Sequence, residues 1–183
     1  MVGWSSAGAP DRTLQWGDRH RLMEIYLLRH GIAETARSGQ ADCERALTAE
    51  GRDKLRRVLT RGRMAGVEPD LILSSPYRRA VETADVAVEI LEYGGKVVRT
   101  RALVPEASPL DTWDEIRSRK GERSILLASH EPLMSRLAAF LLDSPAMQVD
   151  MKKAALVRID CERFSPEPHG VLKWMLTPGL AGD

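Results

Sequence analysis

The sequence predicts a three-layer α/β/α fold on a mostly parallel central sheet. Short apolar runs alternate with longer segments of helical period, the pattern of a parallel sheet covered by helices on both faces. Three of those runs end in polar residues, "LLRHG", "LILSSP" and "LLASHEP". Open α/β sheets place their ligands at that end of their strands. The length, 183 residues, suits one domain, with no internal repeat or linker to divide it.

Each element follows from local signals. "EIYLLRH" (24–30) is a buried strand, short, apolar and closed by Gly31. A polar loop, "ETARSGQADCERA", leads to a helix in "LTAEGRDKLRRVLTRGRMAGV". Thr48 is its N-cap, Glu50 opposes the positive end of its dipole, and Leu55, Val58 and Leu59 form its inward stripe. Its basic side chains, Arg52, Lys54, Arg56, Arg57, Arg61 and Arg63, read as a solvated face, with a docking face for an acidic partner as the alternative. "DLILSSP" (70–76) is the second strand. "RRAVETADVAVEILEY" is a helix with Ala84, Ala87, Val88 and Leu91 on one face, ended by Gly94 and Gly95. "KVVRT" is the third strand, and a helix from Pro109 or Asp111 runs through Ile116 and closes near Gly121. "SILLASH" (124–130) is the fourth strand. Pro132 takes the first position of the following helix, whose Leu133, Leu137, Phe140 and Leu141 face inward. "ALVRIDC" and "VLKWMLT" close the chain as two strands with different partners, open to antiparallel pairing.

Composition narrows the function classes. The net charge of +1, from 27 basic and 26 acidic side chains, gives no global attraction to nucleic acid or to an anionic membrane. Cys43 and Cys161 are far apart and lack metal-ligand spacing, so neither a disulfide framework nor a zinc site is expected, and a cytoplasmic location suits them. No apolar run approaches the length of a membrane span. Residues 1–22 show neither strand alternation nor helical period and read as an N-terminal extension, expected to be disordered, ahead of a domain at 23–183. Met23 stands directly before the first strand, which leaves a later translation start open. N-terminal sequencing of the native protein decides it.

The polar strand ends carry the chemistry. They offer Arg29, His30 and Gly31, then Ser74 and Ser75 leading to Arg78 and Arg79, then Ser129, His130 and Glu131. Two histidines and several arginines, with no carboxylate cluster for magnesium, suit a phosphoryl group handled without metal or other cofactor. A neutral imidazole can attack phosphorus and form a phosphohistidine that water hydrolyses. Neighbouring arginines disfavour a second positive charge, keep the nucleophile unprotonated and stabilise the transferred group. Gly31, having no β-carbon, lets backbone approach the phosphate. His20 and His169 read as structural or surface residues.

The "LLRHG", "SSPYRRAVETA" and "ASHEPLM" segments, in this order, resemble the three signatures of the histidine phosphatase superfamily, also called phosphoglycerate-mutase-like. "RALTAEG", "LVPEASP" and the terminal "WMLTP" resemble its small SixA-like phosphohistidine phosphatase branch, so that the likeness spans about 23–178. The resemblance implies that His30 is the phospho-accepting nucleophile and Arg29 the phosphate-binding arginine beside it. It also implies that Arg79 is the pocket arginine and His130 the second pocket histidine, with Arg78 on the surface. Arg45 is a candidate for the pocket rim, and Gly31, Arg45 and Glu131 are the substrate-binding candidates. A general acid for an alkoxide leaving group falls to Glu106, or less well to Glu34. The branch has no clear equivalent of that acid, and a phosphohistidine substrate eases the requirement, because imidazole leaves far more readily than an alkoxide.

The expected activity is therefore a metal-independent phosphatase acting on protein phosphohistidine, with a phosphorylated protein of the histidine-phosphotransfer type as partner and a monomeric state. Two alternatives stay open: a phosphomonoesterase for sugar phosphates or another small phosphate ester, and a non-catalytic phosphohistidine-binding module. A nucleotide-binding protein fits less well, because neither glycine-rich phosphate motif occurs.

Overall fold

The computed structural model describes residues 22–119, 121–162 and 165–182. The extension up to residue 21, with His20, lies outside the described residues. One six-stranded sheet organises the chain, built from β1 (Leu22–Arg29), β2 (Leu71–Ser74), β3 (Val98–Arg99), β4 (Ser124–Ser129), β5 (Leu156–Glu162) and β6 (Val171–Leu176). The strand order is β3-β2-β4-β1-β5-β6. β1, β2, β3 and β4 pair in parallel, whereas β5 is antiparallel to both β1 and β6. β1 opens at Leu22, the last residue assigned to the extension from sequence.

Side-chain alternation along the strands makes two cores. Met23, Ile25 and Leu27 of β1, Ile125 and Leu127 of β4, and Val157 and Ile159 of β5 pack on one face. There they meet α3 (Pro109–Ser118) through Trp113 and Ile116, and α4 (Leu133–Leu141) through Leu133, Leu137 and Leu141. Tyr26, Leu28, Ile72, Leu126 and Leu156 pack on the other face, against Leu55, Val58 and Leu59 of α1 (Ala49–Met64) and Ala84, Ala87 and Leu91 of α2 (Arg78–Leu91). The short α5 (Pro178–Ala181) adds Ala181 to that side. Phe140 and Val88 are only partly buried at the margins of these cores. The three-layer α/β/α arrangement follows, and no helix among the described residues is long and apolar enough to cross a membrane.

Local chemistry starts and stops the helices. The Thr48 side chain accepts from the Gly51 N–H at 3.0 Å and caps α1. The Ser108 side chain accepts from Asp111 N–H, which fixes the start of α3 at Pro109. Two expectations are corrected. α2 ends at Glu92, in the left-handed region at φ 54°, not at the Gly94–Gly95 pair; its carboxylate meets Arg63 of α1 at 2.6 Å, an ion pair standing where glycine's freedom was expected. α4 begins at Leu133, with Pro132 in the capping position before it. The basic face of α1 is neither plainly solvated nor plainly free: Arg52, Arg56 and Arg63 cross to Glu82, Glu89 and Glu92 at the side of α2.

Candidate active site

Parallel pairing of β1, β2 and β4 brings their carboxyl ends to one edge of the sheet, so Arg29, Ser74 and Ser129 end neighbouring strands. The residues just beyond converge. His30 N–H donates to Ser129 O at 2.9 Å and Ser75 N–H to Ala128 O at 3.0 Å, which draws the three turns together. The rings of His30 and His130 lie 5.0 Å apart between centroids. Arg79, in the first turn of α2, donates from Nε to His30 Nε2 at 3.3 Å. His30, His130 and Arg79 are all buried. Arg29 carries its guanidinium to the Met151 carbonyl at 2.5 Å and stays close enough for its charge to act on both imidazoles. Sequence reasoning named these four, and the structure brings all four together.

The hydrogen bonds orient the imidazoles. His30 Nδ1 lies 2.7 Å from Gly31 O, a carbonyl that only accepts, so Nδ1 carries the proton and Nε2 keeps a lone pair facing Arg79. His130 Nε2 is 2.8 Å from Ser75 Oγ, while its buried Nδ1 has no partner in the protein. An orphaned buried nitrogen beside two arginines is a binding feature for an oxyanion. Burial lowers the His30 pKa to about 4, assisted by Arg79 and Arg29 and opposed by the Gly31 bond. The His130 pKa falls to about 2, again by burial first and then by His30 and Arg79. The sequence argument gave the arginines the leading part; desolvation has it. Both imidazoles are neutral at pH 7, surrounded by permanent positive charge.

Gly31 also requires a corrected reason. A β-carbon there would stand 2.8 Å from the Gly51 carbonyl oxygen and 2.8 Å from Leu55 Cδ1, so the glycine admits helix α1. Its N–H donates to Thr83 Oγ1 at 3.3 Å, tying the turn to α2 as well. Arg45 donates from Nε to the Glu34 carbonyl and from Nη1 to Asp42 Oδ1, each at 2.7 Å. Glu34 therefore meets this cluster through its backbone. The Glu131 carboxylate turns to Ser135, which donates to Oε2 at 2.6 Å, and its charge acts on Arg29. Glu106 is exposed, and its charge acts on Tyr77. Arg78 is a surface side chain paired with Glu82 at 2.9 Å, as expected, and His169 is exposed against Asp143.

Tyr77 and Asp42 escaped the sequence reading, and Ser75 was named at a strand end without a role. Ser75 braces His130. Tyr77 stacks obliquely 5.1 Å from the His130 ring, with the Arg79 guanidinium 5.2 Å from its own centroid. Asp42, exposed on a single 3-10 turn at Asp42–Glu44, reaches Arg79 with both its carbonyl and its carboxylate. Arg45 and then Arg79 hold the Asp42 carboxyl below the usual range, against partial desolvation. Among the described residues no group of three or more histidine, cysteine or acidic side chains is placed to hold a metal ion.

Comparison with known proteins gives this pocket a context. Residues 25–103 match the family model of the histidine phosphatase superfamily (branch 1), a stretch containing Arg29, His30 and Arg79. The chain is 25% identical over 164 residues to the phosphohistidine phosphatase SixA of Escherichia coli, across 85% of this chain and 94% of that one. It is 28% identical over 138 residues to an uncharacterized protein of Picosynechococcus sp., across 74% of this chain and 83% of that one. The solved structure of the protein histidine phosphatase SixA complexed with tungstate aligns at a TM-score of 0.75 and 25% identity, covering 86% of this chain and 98% of that one. Its fold, its sequence likeness and the family match agree: the chain is similar to the SixA-like branch of the histidine phosphatase superfamily, and that similarity supports a phosphatase.

Proposed function

We propose that this phosphatase hydrolyses protein phosphohistidine through a phospho-His30 intermediate. The observation that carries the reading is the state of His30: buried, neutral at pH 7, protonated on Nδ1 by its bond to Gly31 O, with the Nε2 lone pair turned into a cationic pocket. In the first step Nε2 attacks phosphorus, and the bond from phosphorus to the substrate imidazole breaks, its electron pair leaving with that ring. Arg29, Arg79 and the unpartnered His130 Nδ1 receive the phosphoryl oxygens. In the second step water attacks the phospho-His30, releasing inorganic phosphate and restoring the imidazole.

The choice of leaving group rests on the acids near the pocket. The carboxyl bonded to Arg79, that of Asp42, is held ionised by Arg45 and Arg79 and has no proton for a departing alkoxide. Imidazole, a far better leaving group, needs less help. A groove of about 610 Å³ runs beside the Asp42 turn, lined by Gln40, Cys43, Glu44, Pro76 and Arg78 among others, next to the pocket and not through it. The second reading is a small phosphate ester, for which Glu106, exposed and near enough for its charge to act on Tyr77, is the candidate acid.

The test is initial rates in EDTA on a phosphorylated histidine-phosphotransfer domain and a panel of sugar phosphates. Fast release of phosphate from the protein, lost in His30→Ala, is expected. Turnover confined to the sugar phosphates overturns the substrate assignment, and wild-type rates in His30→Ala overturn the mechanism. Tight binding of the phosphorylated domain without turnover by the wild type would return the binding-module reading.

A further inference from the structure

We propose that Asp42 is a positioning residue that orients Arg79 toward His30. Arg79 donates from Nη1 to the Asp42 carbonyl at 2.7 Å and from Nη2 to Asp42 Oδ2 at 2.9 Å, while its Nε donates to His30 Nε2 at 3.3 Å. A guanidinium is planar and carries five N–H groups. Two bonds to one residue at its far end fix both its plane and its roll, leaving the Nε edge no choice but His30. They leave one N–H free on each terminal nitrogen for an oxyanion.

The other Asp42 oxygen takes Arg45 Nη1 at 2.7 Å, and Arg45 Nε is anchored on the Glu34 carbonyl at 2.7 Å. Asp42 thus joins two arginines and ties the 34–45 loop to the pocket. Its turn contributes no buried residue to either core. What holds the loop from behind is the Ala33–Leu47 bridge and the Leu47 N–H on Glu82 Oε2 at 2.7 Å. The asymmetry of exposure decides between roles: the Asp42 side chain is 57% exposed and that of Arg79 is 6% exposed. An exposed carboxylate adds little to stability, whereas misaiming a buried arginine at the reacting group costs rate.

This inference rests on His30 as nucleophile, and loss of turnover in His30→Ala establishes that point separately. The experiment is a double-mutant cycle on the full chain, read as kcat and KM with the phosphorylated histidine-phosphotransfer domain and checked by thermal midpoint. Asp42→Ala is expected to lower kcat by roughly 10²-fold with KM and midpoint little changed, and Asp42→Asn, which keeps the acceptor oxygen, to recover part of the loss. In an Arg79→Lys background, where no fork remains to be aimed, Asp42→Ala should cost at most about twofold. Full kcat in Asp42→Ala, or the same fold loss in both backgrounds, overturns the positioning role while leaving the nucleophile assignment intact. Should Asp42→Ala lose its fold, the near-isosteric Asp42→Asn carries the same comparison.

Discussion

His30 holds its proton on Nδ1 because the only group Nδ1 meets is a carbonyl, and that leaves Nε2 unprotonated, with its lone pair accepting from Arg79 Nε. Burial then removes the charged form from the physiological range. The consequence for pH has a definite sign. Folded His30 and His130 titrate below the ordinary value near 6.5, so the unfolded chain binds more protons than the folded one at acid pH. The stability these neutral imidazoles support is complete above about pH 6.5 and falls as pH drops, the His30 share down to about 4 and the His130 share down to about 2. Histidine-selective NMR should place the His30 titration near 4; an inflection near 6.5 would contradict the burial described here. Arg29, His30 and His130 stood out in the sequence because each lies at the end of an apolar run, whereas the choice of Arg79 over Arg78, both at the start of α2, came from the resemblance to the family. Asp42 was not legible. It sits in a polar loop with no period, and only the fold reveals that its partner is Arg79, a residue 37 positions later.

Elements aim these residues. α1 is pressed against the turn after β1 by two glycines that share one contact: a β-carbon on Gly51 would stand 2.3 Å from the Ile32 carbonyl oxygen, and one on Gly31 would stand 2.8 Å from that of Gly51. Gly51→Ala should therefore cost about 1–3 kcal/mol by overpacking and lower turnover, since Ile32 lies two residues from His30. Chemical denaturation and kcat measured on the same variant check this, and unchanged values for both would show that α1 yields freely. The start of α1 was readable from Thr48, because a capping hydroxyl acts within one turn. The end of α2 was not, because Glu92, which is not a glycine, takes the left-handed conformation at φ 54°. A glycine pair nearby gave the stronger local signal and the wrong terminus.

Across the whole molecule the two cores do different work. The face packed by α1 and α2 carries Arg79 and the Gly31 contact, while the face packed by α3 and α4 holds Ile125 and Leu127 of β4, the strand that leads into His130. Trp113, fully buried in the second core, donates from Nε1 to the carbonyls of Ser165 and Pro166 at 3.2 Å. Trp113→Ala should cost about 3–5 kcal/mol while leaving kcat near wild type at temperatures where it remains folded; a selective loss of kcat without destabilisation would place Trp113 in the pocket's machinery instead. The layer order was predictable from alternation of strands and helices, and the antiparallel β5 and β6 were left open because strand direction is set by connection, which composition does not encode. The central claim is the covalent step on His30. Its most direct measurement is rapid quenching of wild-type enzyme into alkali during turnover of the phosphorylated histidine-phosphotransfer domain, followed by peptide mass spectrometry. A phosphoryl group on the His30 peptide, formed and lost at rates that match turnover, is the predicted result. Turnover with no phosphorylated enzyme, or with the phosphoryl group on His130, would contradict it.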